Sequence, residues 1–235
     1  MPSAVLYLAV VCTALLSITD ATQLVENDAR VLQATPTTPW PSLYVAVMLK
    51  GDAKVYGQSE FSMLANPILS NNGNSVIYSV LAPFRENFFS PSFKQTVVLT
   101  NYTIVDGLAF LVNISSADSY TTPSTECLSM ESGKLTLPPI NAIVRGIMSA
   151  TRVAAPGSAG QCTNGQYDVS ADGNKFALCA LSDQQFLLTG SNMDIAVDFA
   201  NFWGTPPNFG SRSGCKKVVK PVSVTSIGKS LLTTK

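Results

Sequence analysis

The chain has 235 residues, 46% of them hydrophobic and 13% charged, with fifteen basic residues balancing fifteen acidic ones and no histidine. This apolar content excludes a chain that is disordered overall. The missing imidazole excludes Ser-His-Asp and Cys-His nucleophilic devices and histidine-ligated metal sites.

Residues 1–21 carry a short apolar run, Ala4 to Leu16, followed by small and polar residues that end in Ala21. The run falls short of the roughly 20 residues of a membrane-spanning helix, so the segment reads as a secretory signal peptide cleaved after Ala21. An exported chain meets an oxidising medium. Residues 22–42 follow as a linker, in which Pro36, Pro39 and Pro41 interrupt a Thr-rich stretch with no apolar period. The folded domain is expected over 43–205.

Within that domain the texture is that of strands. Tyr44–Leu49, Ser75–Leu81, Thr96–Val105, Leu108–Ile114, Gln185–Thr189 and Met193–Phe199 are rich in β-branched and aromatic residues. Asn71-Asn-Gly-Asn74, Asp106-Gly107 and Ala171-Asp-Gly-Asn174 supply the Asn-Gly and Asp-Gly chemistry of tight hairpin turns. A turn at Asp172-Gly173 predicts that Tyr167 faces Leu178 and Val169 faces Phe176.

One segment changes period. After Pro138-Pro139, Ile140, Ile143, Val144, Ile147 and Met148 recur at helical spacing, with Asn141, Arg145 and Ser149 opposite, and Pro156-Gly157 ends the segment. One amphipathic helix on a mostly antiparallel sheet covers that sheet's apolar face as a lid. The expected fold class is therefore mainly β (α+β), an antiparallel half-barrel-like sheet with one covering helix, stabilised by disulfides.

Cys12 leaves with the signal peptide, and Cys127, Cys162, Cys179 and Cys215 remain as an even set. Two disulfides are expected, each worth about 2–4 kcal/mol, with three pairings open. Zinc is disfavoured because no C-x-x-C pair and no histidine accompany the cysteines. Asn101-Tyr-Thr103 and Asn113-Ile-Ser115 are glycosylation sequons, expected at exposed edges of strand-like runs.

Paired carboxylates are the remaining enzymatic device, with Asp194 and Asp198, or Glu60 and Glu86, as candidates. Asp194 and Asp198 share one strand face about 13 Å apart, too far for either glycosidase geometry. They are expected on the solvent side of an edge strand whose inner face is Met193, Ile195, Val197 and Phe199. Phe202–Phe209 is an aromatic loop expected to cap the core. All fifteen acids precede Arg212, whereas 212–235 holds Arg212, Lys216, Lys217, Lys220, Lys229 and Lys235. Residues 206–235 are read as a solvated, mobile basic tail. No catalytic residue, metal or cofactor is expected.

Long antiparallel strands with an interposed amphipathic helix resemble the half-barrel of the LolA/LppX lipoprotein carriers, across about 43–202. That resemblance implies an apolar concavity holding acyl chains beneath Ile140 to Met148. More locally, Cys127-Leu128, Leu137-Pro-Pro-Ile-Asn141, Cys162-x-x-Gly165, Phe176-Ala-Leu-Cys179 and Asn192–Val197 resemble a family of secreted oomycete proteins. Arg30-Val31-Leu32-Gln33, soon after the signal peptide, resembles the Arg-x-Leu-Arg leader of oomycete effectors, with Gln33 in place of the last Arg. The resemblance implies delivery toward plant cells and modulation of immunity or cell death. The expected protein is thus a secreted, non-enzymatic, effector-like glycoprotein that meets a host plant protein or lipid and no nucleic acid. The alternative is an extracellular carrier of lipid or another hydrophobic ligand.

Overall fold

A computed structural model describes residues 40–89, 95–105, 107–117, 120–128, 139–153, 162, 164–200 and 215–233. The chain divides into two compact units, 1–36 and 37–235, and every described residue belongs to the second. In chain order the elements are β1 (Ser42–Leu49), β2 (Glu60–Leu69), β3 (Ser75–Phe89), β4 (Gln95–Val105), β5 (Leu108–Ala117) and β6 (Tyr120–Cys127). Then come α1 (Ile140–Met148), β7 (Thr151–Arg152), β8 (Gln166–Ala171), β9 (Asn174–Ser182), β10 (Gln185–Gly190), β11 (Met193–Ala200), β12 (Val222–Ser223) and α2 (Ser226–Leu232).

The strands form one antiparallel sheet in the order β6-β5-β4-β3-β2-β1-β11-β10-β9-β8-β7, with β12 added to β3. Among the described residues the fold is therefore mainly β, with two short helices and two disulfides. Hairpin turns set much of this order. In the β8–β9 turn Asp172 and Gly173 take φ of 49° and 80°, the doubly left-handed geometry that Asp-Gly tolerates. The register places Tyr167 against Leu178 and Val169 against Phe176, as the alternation predicts.

Alternation also decides which face holds the core. Leu43, Ala65, Val80 and Ile104 lie in one cross-strand row and are buried, as are Val197 and Phe186 farther round the sheet. Fully buried Tyr78, Tyr102, Phe84 and Met63 give this face its bulk. Phe84 meets Phe61 and Tyr56 with ring centroids 5.1 and 4.9 Å apart, within the range of favourable tilted pairs.

Two strands carry prolines without losing their place. Pro67 lies opposite Tyr78, two residues past Ala65, the last β2 residue paired with β1. Pro83 lies past Leu81, where β2–β3 pairing ends. By alternation each missing N–H then falls on the side without a neighbouring strand, the position where a sheet accepts proline. Composition alone hid β2, because Ser62, Asn66 and Pro67 weaken its strand signal.

On the other edge of β3, Val76 pairs with Val222 of β12 and Val80 with Ile104 of β4. Between them Tyr78 has no strand partner on that side. Asn141 of α1 fills the gap: the Tyr78 N–H donates to its Oδ1 at 2.8 Å, and its Nδ2 donates to the Tyr78 carbonyl at 3.0 Å. This is a correction to the helical pattern, which set Asn141 on the polar face with Arg145 and Ser149. Asn141 is fully buried, whereas Arg145 and Ser149 are exposed. Its side-chain amide acts as a one-residue strand, which no apolar residue can do.

The limits of the fold differ from expectation at both ends. Trp40 and Ser42 are buried, so the folded part reaches back into the expected linker. Residues 215–233 are not a solvated tail. Val219, Val222 and Leu232 enter the core, and the Val218 and Val219 N–H groups donate to the Gly107 carbonyl at 2.8 and 3.2 Å. Thr225 caps α2 by accepting from the Gly228 N–H at 3.1 Å, and its hydroxyl donates to the Met148 carbonyl at 2.6 Å. Gly228 lets the helices touch, since a Cβ there would collide with the Met148 sulfur. Gly146 likewise lets α1 reach β8, because a Cβ would lie 2.5 Å from the Ser170 carbonyl oxygen.

Asn141→Leu strands two buried peptide groups of Tyr78, so it should lower unfolding free energy by about 2–5 kcal/mol, read by denaturant titration. Asn141→Asp keeps both bonds only when protonated, so its folded-state pKa rises above the unfolded value of about 4. The unfolded state then binds fewer protons between those pKa values, and stability falls as pH rises from about 4. A pH-independent deficit for Asn141→Asp would contradict the bridge.

Candidate functional site

The candidate lid is the best-formed site among the described residues. Ile140, Ile143, Val144, Ile147 and Met148 are each at most 3% exposed. They converge on the sheet's core face because Pro139 stands at the N-cap and the apolar spacing follows one helical stripe. The helix packs on β8, β3, β12 and α2 at once. A second helix, α2, packs against α1 and is absent from the sequence expectation. Its signal was Thr225 three residues before Gly228, with Ile227, Leu231 and Leu232 on an apolar spacing.

Beneath the lid one buried group is electrostatically distinctive. The Tyr78 hydroxyl meets no hydrogen-bond partner among the described residues, and burial raises its pKa well above the ordinary value of 10.0. Burial thus favours the neutral phenol.

The disulfides resolve the open pairing: Cys127 joins Cys215 and Cys162 joins Cys179, with Cα separations of 5.6 and 5.0 Å. The first links the end of β6 to the start of the C-terminal segment. The second ties the approach to β8 onto β9.

The sequons lie inside strands and not at their edges. Asn101 sits in β4 between Pro83 and Val112, and Asn113 sits in β5 between Thr100 and Ser124. Both are half-buried, and register puts Asn101 on the outer face and Asn113 on the core side.

Among the described carboxylates, Asp194 and Asp198 have separate partners. β11 is an interior strand, flanked by β1 and β10, which corrects the expected edge. Asp194 pairs with Lys50 at 2.8 Å, and Lys50 also donates to the Gly190 carbonyl at 2.8 Å. Asp198 accepts from Gln185 Nε2 at 2.6 Å. The register brings Asp194 into one row with Met48 and Glu60, two strand spacings or about 10 Å from Glu60. The Glu86 side chain lies outside the described residues, as do Arg30, Val31, Leu32, Gln33, the signal peptide and the 202–209 aromatic loop.

A cleft of about 100 Å³ opens beside α2, lined by Asn164, Tyr167, Gln185, Phe199, Ser230 and Leu231. That volume is well below the roughly 300 Å³ at which small-molecule sites begin. Among the described residues no three Cys, Asp or Glu side chains gather as a metal site, and no helix is long and apolar enough to cross a membrane. No family model matches the chain, and neither curated proteins nor solved structures show significant similarity to it.

Titration of Tyr78 has a definite sign. The unfolded phenol ionises near pH 10 while the folded one stays protonated, so stability is full below about pH 10 and falls above it. Tyr78→Phe removes an unpartnered hydroxyl, and denaturant titrations should show its stability relative to the parent constant up to about pH 9 and rising beyond about pH 10. Parallel profiles through that range would show that Tyr78 ionises normally.

Proposed function

We propose that the chain is a secreted, non-enzymatic, effector-like protein of a plant-associated oomycete, which acts by binding a host component and alters immunity or cell death. The observation that carries this reading is that all four cysteines after residue 21 pair in two disulfides, which favours an oxidising, extracellular compartment. The signal-peptide pattern supports export. The Arg30–Gln33 leader and the local resemblance to secreted oomycete proteins support the host as target. Glycans at Asn101 and Asn113 fit the same route if they are added before β4 and β5 pair.

Secreted expression in leaf tissue is the test. Altered cell death or dampened defence responses is the expected outcome, and the same outcome should be lost or weakened when the signal segment is deleted. Unchanged responses with intact, disulfide-bonded protein in the tissue would sink the reading.

One observation favours a carrier of hydrophobic ligands as a second reading. α1 packs on β3 and β8 together, although β3 and β8 are six strand spacings apart in the sheet order. In a flat sheet that is about 29 Å, against a helix diameter of about 10–12 Å. This supports a sheet that curls around α1, as a half-barrel with a covering helix does. Ile140, Ile143, Val144, Ile147 and Met148 now fill the concavity, so an acyl chain enters only if α1 lifts. Native mass spectrometry of the purified protein should then show a stoichiometric lipid lost on denaturation, and a ligand-free species would reject the carrier.

A further inference from the structure

The C-terminal segment is held to the body by its apolar residues, and its cations are left outside. Val219, Val222 and Leu232 are buried, whereas Lys216, Lys217, Lys220 and Lys229 are exposed. The segment starts at the Cys127–Cys215 bond, crosses the β4–β5 turn at Gly107, pairs with the first residues of β3, and ends on α1. Arg145, exposed on the outward side of α1, lies three residues before Met148, against which Gly228 packs. Lys229 is the next residue after Gly228. Arg145 and Lys229 therefore flank one helix contact.

No Asp or Glu occurs in 139–153 or 215–233. The described acids near these elements are Glu126 beside Cys127, Asp168 opposite Thr151, and Asp183, which lines the cleft beside α2. None of the five cations forms an ion pair with a described carboxylate; the pair among the described residues is Lys50 with Asp194. The outer side of the covering layer thus carries a cationic ridge fixed by packing, with Asp183 and Asp198 at the cleft beside α2 and Glu60 and Asp194 on β2 and β11.

We infer that this ridge, Arg145, Lys216, Lys217, Lys220 and Lys229, is a docking surface for an anionic phospholipid bilayer. Two features favour a bilayer over a chain-like polyanion. The cations span several elements across a surface, and the cleft beside α2 contains none of them. Lysine predominates, a point charge suited to diffuse attraction and less to bidentate recognition. The inference does not depend on the host-directed reading.

The test is sedimentation of the full chain, disulfides intact, with vesicles of phosphatidylcholine alone or with about one-third phosphatidylserine. Partitioning should favour the anionic vesicles and fall as salt shortens the screening length. At about five-fold per cation, Lys216→Gln, Lys217→Gln and Lys220→Gln together should lower it about 100-fold. Lys54→Gln with Arg85→Gln, exposed away from the ridge, should change it less than about two-fold. Circular dichroism confirms that each variant is folded. Equal partitioning onto both vesicles, none onto either, a triple variant that binds normally, or capture by soluble polygalacturonate without binding to anionic vesicles would each overturn the inference.

Discussion

The two hydrogen bonds between Asn141 and the Tyr78 backbone are the constraint on which the covering layer depends. β3 is served by three different elements along one edge, and each must leave off where the next begins. The pairing of β4 with β3 ends at Ile104, and that of β12 reaches only to Val222. The peptide of Tyr78 is left in a buried gap, where an unpaired donor and acceptor would cost far more than one hydrogen bond contributes net. Asn141 closes that gap and, in doing so, sets the rotation and height of α1. Position on the helix then determines what the other side chains do: Ile140, Ile143, Val144, Ile147 and Met148 go to the core, and Arg145 and Ser149 go to water.

A second lock follows from the first. With α1 placed, its last turn offers the Met148 carbonyl, which the Thr225 hydroxyl takes while capping α2. Gly228 then brings α2 into contact at the same residue, and Leu232 completes the buried layer. The Cys127–Cys215 bond holds the start of this segment, at a sequence separation of 88, so a long loop is removed from the unfolded ensemble. Sheet, lid and C-terminal segment are mutually dependent, and a change at Asn141 is felt at Thr225 through α1.

Much of the sheet was legible because its signals are local. The Asp172-Gly173 turn determined the register of β8 and β9, and the alternation in β11 named its inner face. The helix was legible by period. What escaped were features that depend on distant partners. Pro67 and Pro83 argue against strands unless one knows where the neighbouring strand stops. Asn141 reads as a polar-face residue unless one knows that Tyr78 lacks a partner. The C-terminal segment reads as a charged tail because its lysines outnumber its anchors, yet Val219, Val222 and Leu232 are enough to hold it when a disulfide and Thr225 fix its two ends. The candidate site was legible as a set of five lid residues and not as a packed layer of two helices.

Packing of that segment changes the physical meaning of its charge. On a mobile tail, lysines sample many directions and each contact with an anionic surface must first overcome chain entropy. Here the backbone is already ordered by residues that face inward, so the outward positions are set before any partner arrives. Concentrating cations in a segment without acids costs little so long as the charges stay in water, where screening limits their mutual repulsion to neighbours. Moving the same charges onto the core side of β3 or β8 would require desolvating them beside an apolar layer that already holds Tyr78 neutral. The division between an apolar underside and a basic outer side is therefore imposed by the lid's own packing, and any partner that reads the charge meets the covering layer before it meets the sheet.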